Sequence, residues 1–125
     1  MLRACHSVLK PGASLVFFVV AVADGLRPRD LERAIAAGPP FVEAGPRYST
    51  LIEEAGFGRA EIVDVTDEYV VTLSDSIRVR DAEAAELEGL LGADVFAEGQ
   101  ASRRRELDAV ANGLLKRYLI SAVRW

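Results

Sequence analysis

The chain has 125 residues, enough for a single hydrophobic core and too few for two. Half of them are hydrophobic and about a quarter charged, the composition of a globular domain rather than a disordered or fibrous one. Fifteen basic against nineteen acidic residues leave a net charge of −4, which argues against a nucleic acid as partner. Cys5 stands alone, so neither an internal disulfide nor a Cys/His metal cluster can form, and a reducing, cytoplasmic setting is expected.

In chain order, LRACHSVL places Leu2, Cys5, Val8 and Leu9 at helical spacing, and Lys10-Pro11-Gly12 stops the helix. The apolar run from Ala13 to Ala23 is far shorter than the roughly twenty residues that a membrane span needs. Pro11-Gly12 before it and Asp24-Gly25 after it do not fit a secretory leader, so no membrane association is expected. Its unbroken LVFFVVAV reads instead as a parallel strand covered on both faces by helices.

The pattern then alternates. Arg27 to Ala37 is expected to be helical, with Pro28 in the first turn and Gly38-Pro39-Pro40 as its end. A loop around Phe41 to Pro46 leads to a helix from Arg47 to Ala55, whose Tyr48, Leu51, Ile52 and Ala55 share a face and which Gly56 stops. Ala60 to Val65 reads as a second strand.

Thr66 is the expected N-cap of one long helix from Asp67 to Leu91, kept in phase by Leu73, Ile77, Leu87 and Leu91. The β-branched YVVT at Tyr69 to Thr72 pulls locally toward strand. A last helix carries Leu107, Val110, Ala111 and Leu114 on one side and ends at Asn112-Gly113, after which RYLISAVRW, Arg117 to Trp125, reads as a third strand.

Three segments carry a resemblance. LRACHSVLKPGASLVFF resembles the helix, Lys-Pro-Gly turn and fifth strand of class I methyltransferases that use S-adenosylmethionine. YSTLIEEAGFGRAEIVDVT is similar to the same family's next helix, Ala-Gly-Phe turn and sixth strand, and RYLISAVRW stands where its seventh strand is inserted antiparallel beside the fifth. The resemblance implies an α/β, incomplete Rossmann-like fold, a single domain over residues 1–125 that is truncated on its N-terminal side. Its three-stranded mixed sheet would have flanking helices, the order first, third, second, and the first strand at an exposed edge.

It also implies S-adenosylmethionine as cofactor and a small-molecule methyl acceptor. Yet no glycine-rich loop opens a helix after a strand, and Gly12, Gly25, Gly38, Gly45, Gly56 and Gly58 all fit turns or helix stops. No cofactor-binding residue can therefore be named, and the chain alone is expected to be inactive. Methyl transfer depends on holding nucleophile and methyl together in a water-poor cavity, which half a fold does not supply.

Ligands of open α/β sheets lie beyond the carboxyl ends of the strands. That rule, and the family's habit of lining its acceptor pocket after the fifth strand, single out Asp24, Phe41 and Tyr48 as acceptor-pocket candidates. His6, the lone histidine, lies on the helix before the strand, away from that end, and is read as a packing residue rather than a general base. Arg103-Arg104-Arg105 and the acidic set Asp81, Glu83, Glu86 and Glu88 are read as solvated helix faces, and no metal ligands are assigned. Two functions follow: the acceptor-side portion of a methyltransferase whose cofactor half comes from another chain or segment, or a non-catalytic protein that self-associates or binds a partner through the first strand's edge.

Overall fold

A computed structural model describes residues 2–38 and 43–124, and for residues 43–47 the backbone course alone. The Lys-Pro-Gly turn separates α1 (Leu2–Val8) from β1 (Ser14–Val22), and Gly12 takes φ +84°, where an L side chain is strained. α2 (Pro28–Ala37) starts at its proline, and its last turn closes through the Gly38 N–H on the Ala34 carbonyl. β2 (Glu43–Ala44) and α3 (Gly45–Glu54) follow, then Gly56 at φ +94° and β3 (Phe57–Asp64). α4 (Thr66–Ala82), α5 (Ala84–Leu91) and α6 (Ala93–Ala111) lead through the Asn112-Gly113 stop into β4 (Leu115–Arg124).

The sheet order is β2-β1-β4-β3. β4 runs antiparallel between β1 and β3, as the resemblance implied, and β2 adds a two-residue parallel pairing at Ala21 and Val22 that the loop reading of Phe41 to Pro46 did not foresee. β3 begins earlier than its β-branched core suggests. Phe57 and Gly58 already pair with β4, and an irregularity between Gly58 and Glu61, with Arg59 at φ +51°, resets the register.

Alternation along the strands builds two cores. Leu15, Phe17 and Val19 of β1 join Ile120 and Ala122 of β4 under α1 and α3, around Ile52 and Phe57. On the other face Val20, Val22 and Leu115 pack with Ala34 of α2, Tyr69 and Val70 of α4, and Ala109 and Val110 of α6. Removing that apolar surface from water, at about 25 cal/mol per Å2, is what holds the layers together.

Three expectations need correction. β1 is not covered along its whole length: Val16 and Phe18 are 60% and 55% exposed. The helices of that face meet the sheet over its carboxyl half, at Val20, Val22 and Leu115, and the amino half is bare. The expected helix from Asp67 to Leu91 is two helices, divided at Glu83, whose φ of −102° and ψ of 22° leave helical values. Buried Gln100 of α6 donates to the Ile77 carbonyl (3.1 Å) and to Asp81 Oδ1 (2.9 Å), so the last turn of α4 is tied to α6 while α5 packs on α6 separately. Thr66 is not the cap. It opens α4 and donates its N–H (2.9 Å) and hydroxyl to Asp64, which satisfies the first backbone donor of the helix.

The YVVT segment is helical because Tyr69 and Val70 find apolar cover on the sheet, and packing outweighs local β preference.

Gly56 meets two constraints where Gly113 meets one. Both have positive φ, but a Cβ at Gly56 would lie 3.0 Å from His6 Nε2, whereas nothing lies within 4 Å at Gly113. Gly113→Ala should therefore cost about 1–2 kcal/mol from backbone strain, and Gly56→Ala more, since the His6 ring must also move. Urea unfolding of both variants checks that order, and an equal or smaller loss at Gly56 contradicts it.

Candidate functional site

β1 and β3 run in the same direction and end side by side across β4, at Val22 and Asp64, while β4 begins there at Leu115. Backbone bonds fix this edge. Ala23 N–H donates to the Leu114 carbonyl (3.0 Å), Val65 N–H to the Arg117 carbonyl (2.9 Å), and Arg117 N–H to Thr66 Oγ1 (3.1 Å). The Asp24-Gly25 turn, with Gly25 at φ +70°, then carries the chain off the end of β1.

Four polar side chains collect at this edge. Asp64 accepts from Thr66 and lies 3.4 Å from Lys116 Nζ. The Thr66 hydroxyl above all holds the Asp64 carboxyl below its ordinary value; burial opposes it and comes next in size, ahead of the lowering by the Thr66 backbone N–H and by the Lys116 ammonium. Tyr118 is directly opposite Asp64 in register. Burial pushes its hydroxyl above the ordinary range; the charges of Asp64 and Asp24 push the same way, and Lys116 offsets part. Tyr118 thus stays protonated at neutral pH, able to donate and accept a hydrogen bond. Beside it an open polar cleft of about 430 Å3 is lined by Asp64, Thr66, Asp67, Glu68 and Lys116.

The structure places the sequence-derived candidates unevenly. Asp24 sits at the edge, where its charge is felt at Tyr118. Tyr48 stands on the flank, packed with Tyr118 on the cluster of Ile52, Phe57, Ile120 and Ala122, and lines a recess of about 380 Å3 between α1 and α3 with Leu2, Arg3 and Leu51. Phe41 lies outside the described residues. Sequence reasoning does not single out Tyr118, Asp64 and Lys116, because their convergence depends on the register of β4 against β3, which the expected strand order leaves open.

The remaining candidates have structural roles. The His6 ring packs edge-on against Phe57, with centroids 5.2 Å apart, and touches Gly56. The arginine run lies on a largely solvated face of α6, where Arg104, half-exposed, pairs with Asp81 of α4 and Arg103 donates to Gln100 Oε1 (3.4 Å) one turn earlier on α6 itself. Among the described residues no three of His, Cys, Asp and Glu gather as a metal cluster would, and no helix is long and apolar enough to cross a membrane.

Asp64 gives this edge a pH dependence. Its folded pKa is depressed, so its contribution to stability is full above the unfolded value of about 3.9 and fades as pH falls through the folded value. Asp64→Asn should lower stability at neutral pH, and the gap from the parent should close on acidification below about pH 4. Urea unfolding across the acid range measures it, and a gap independent of pH contradicts it.

No known family profile matches the sequence, and no curated protein matches it. Solved structures do. Phosphoethanolamine N-methyltransferase 2 of Haemonchus contortus, in complex with phosphomonomethylethanolamine and S-adenosylhomocysteine, superposes with a TM-score of 0.80 at 12% identity, covering 98% of this chain and 29% of that one. A sarcosine dimethylglycine methyltransferase from Galdieria sulphuraria gives 0.78 at 15% identity, covering 98% and 46%. A cyclopropane synthase from Mycobacterium tuberculosis gives 0.73 at 12% identity, covering 98% and 48%. The chain spans less than half the length of these structures, and over that span it has the methyltransferase fold, a partial domain of it.

Proposed function

We propose that this chain is the acceptor-side portion of a small-molecule methyltransferase dependent on S-adenosylmethionine, and that it is inactive until a cofactor-side portion joins it. The observation that carries this reading is the near-complete match of the chain to less than half of each methyltransferase structure, with polar groups gathered where acceptors of open α/β folds lie.

S-adenosylmethionine, when bound, offers an electrophilic methyl on a sulfonium. The described residues do not fit it. The described glycines with positive φ, at positions 12, 25, 56, 92 and 113, lie at turns and helix ends, and no glycine loop joins a strand to a helix N-terminus around a cleft. The chain's own part is to hold the acceptor. Asp24 supplies negative charge at the end of β1, Tyr118 a neutral hydroxyl, and Asp64 is paired with Lys116, while Asp67 and Glu68 add carboxyl groups to the cleft, so the edge attracts a cationic or amino-bearing acceptor. Tyr48, on the flank of this edge, is proposed as an aromatic part of the acceptor wall, and Phe41 is proposed for it from the sequence alone. Two of the similar structures are named for methylating phosphoethanolamine nitrogen or sarcosine and dimethylglycine, which favours an amine acceptor here.

A second reading has its own support. The edge of β1 from Ser14 to Val20 faces away from β4 and is not paired by β2, the kind of edge through which a non-catalytic protein binds a partner strand.

Calorimetric titration of the folded chain with S-adenosylmethionine and S-adenosylhomocysteine tests the first reading. The expected result is no saturable heat from the chain alone. Saturable binding would contradict the assignment of cofactor contacts to a separate portion.

A further inference from the structure

β1 is built unlike the other strands of the sheet. Its nine residues, SLVFFVVAV, contain no charge, no proline and no glycine. β2 has Glu43, β3 has Arg59, Glu61 and Asp64, and β4 has Lys116, Arg117 and Arg124. β3, at the far edge of the sheet, thus carries the features that keep an edge from taking up another strand: charged residues, and an irregularity at Arg59, where φ is +51°. β1 has none of them, although among the described residues its edge is open from Ser14 to Val20.

The backbone groups at that edge can be named. The Ala23 N–H and the Ala13 carbonyl both bond to β4, so by the alternation of an antiparallel pair Ser14, Val16 and Phe18 point their N–H and C=O groups away from β4. Both faces of the strand are apolar, with Leu15, Phe17 and Val19 on one and Val16, Phe18 and Val20 on the other. A short segment of high β preference without charge, proline or glycine is the kind that stacks on identical copies of itself. In register, Phe17 would lie on Phe17 and Phe18 on Phe18, with no like charges to repel. No charge on the strand selects a partner of any other kind.

We infer that residues 14–22 are the segment through which copies of this chain assemble, β1 on β1 as stacked cross-β strands. In the folded chain β4 occupies one edge of β1 along its whole length. Continued stacking therefore draws on molecules in which β1 has come away from β4, and assembly quickens under conditions that open a fraction of the chains. Neither the acceptor edge nor any methyl transfer enters this inference.

Fibre growth of the full chain, agitated in urea that opens a fraction of the molecules, tests it. The expected product is a fibre with a strand spacing of about 4.7 Å. Its protease-resistant core, identified by mass spectrometry, should contain residues 14–22. Val16→Lys and Val63→Lys form a matched pair: the two valines are 60% and 50% exposed on the same face of the sheet, and each variant gains one positive charge. Circular dichroism checks the fold of both, and urea is adjusted so that parent and variants have the same unfolded fraction. Val16→Lys should then lengthen the lag roughly tenfold or more, while Val63→Lys stays within about twofold of the parent. A chain that forms no fibres, a resistant core that leaves out residues 14–22, or a Val16→Lys lag no longer than that of Val63→Lys would overturn the inference. Titration with S-adenosylmethionine reads the proposed function separately.

Discussion

The antiparallel pairing of β1 with β4 carries the rest of the molecule. All nine residues of β1 have partners on β4, and the pairing is sewn at both ends. At one end Ala23 N–H meets the Leu114 carbonyl. At the other, Arg124 donates its N–H to the Ala13 carbonyl (2.9 Å), accepts from Gly12 N–H (2.6 Å), and places its guanidinium on the Leu9 carbonyl at the end of α1. Arg124 thereby ties the end of β4 to the turn that follows α1. β4 also feeds both cores, with Leu115 on one side of the sheet and Ile120 and Ala122 on the other, so loss of its seat between β1 and β3 would open both layers together.

Much of this was legible in the sequence, for physical reasons that differ by element. Lys10-Pro11-Gly12 and Gly56 mark breaks because proline cannot extend a helix and glycine tolerates the positive φ found at both glycines. The insertion of the last strand between the first two came from family resemblance rather than periodicity, since nothing in RYLISAVRW states its neighbours. The break at Glu83 was not legible: the apolar spacing continues through it, no glycine or proline marks it, and the glutamine that ties the end of α4 to α6 lies 17 residues later. The bare half of the sheet was hidden for a related reason. LVFFVVAV has the composition of a strand buried on both faces, and only the reach of α2, α4 and α6 decides where its cover stops.

The candidate site shows the same division. Asp24 could be chosen from its place after an apolar strand, but Tyr118 and Asp64 become neighbours only once β4 is laid beside β3. Their chemistry depends on that register as well. Thr66 and Lys116 hold Asp64 ionised, while burial and the nearby carboxylates keep Tyr118 protonated, so the edge combines a neutralised carboxylate, a neutral hydroxyl and the charge of Asp24. Such an edge suits binding and orienting a small polar molecule. It does not by itself supply an activated nucleophile or a methyl donor, in keeping with a partial domain that contributes the acceptor side.

The account rests on β4 as the inner strand and β1 as a strand paired along one edge over most of its length. Native-state hydrogen exchange resolved by residue measures this directly. Amides of β4 from Tyr118 to Ser121 should all be protected, because both edges are paired there, whereas along Ser14 to Val20 slow amides that face β4 should alternate with fast ones that face outward. Uniform protection of β1 along both edges, or rapid exchange along β4, would contradict the strand order on which the partial methyltransferase fold and its acceptor edge depend.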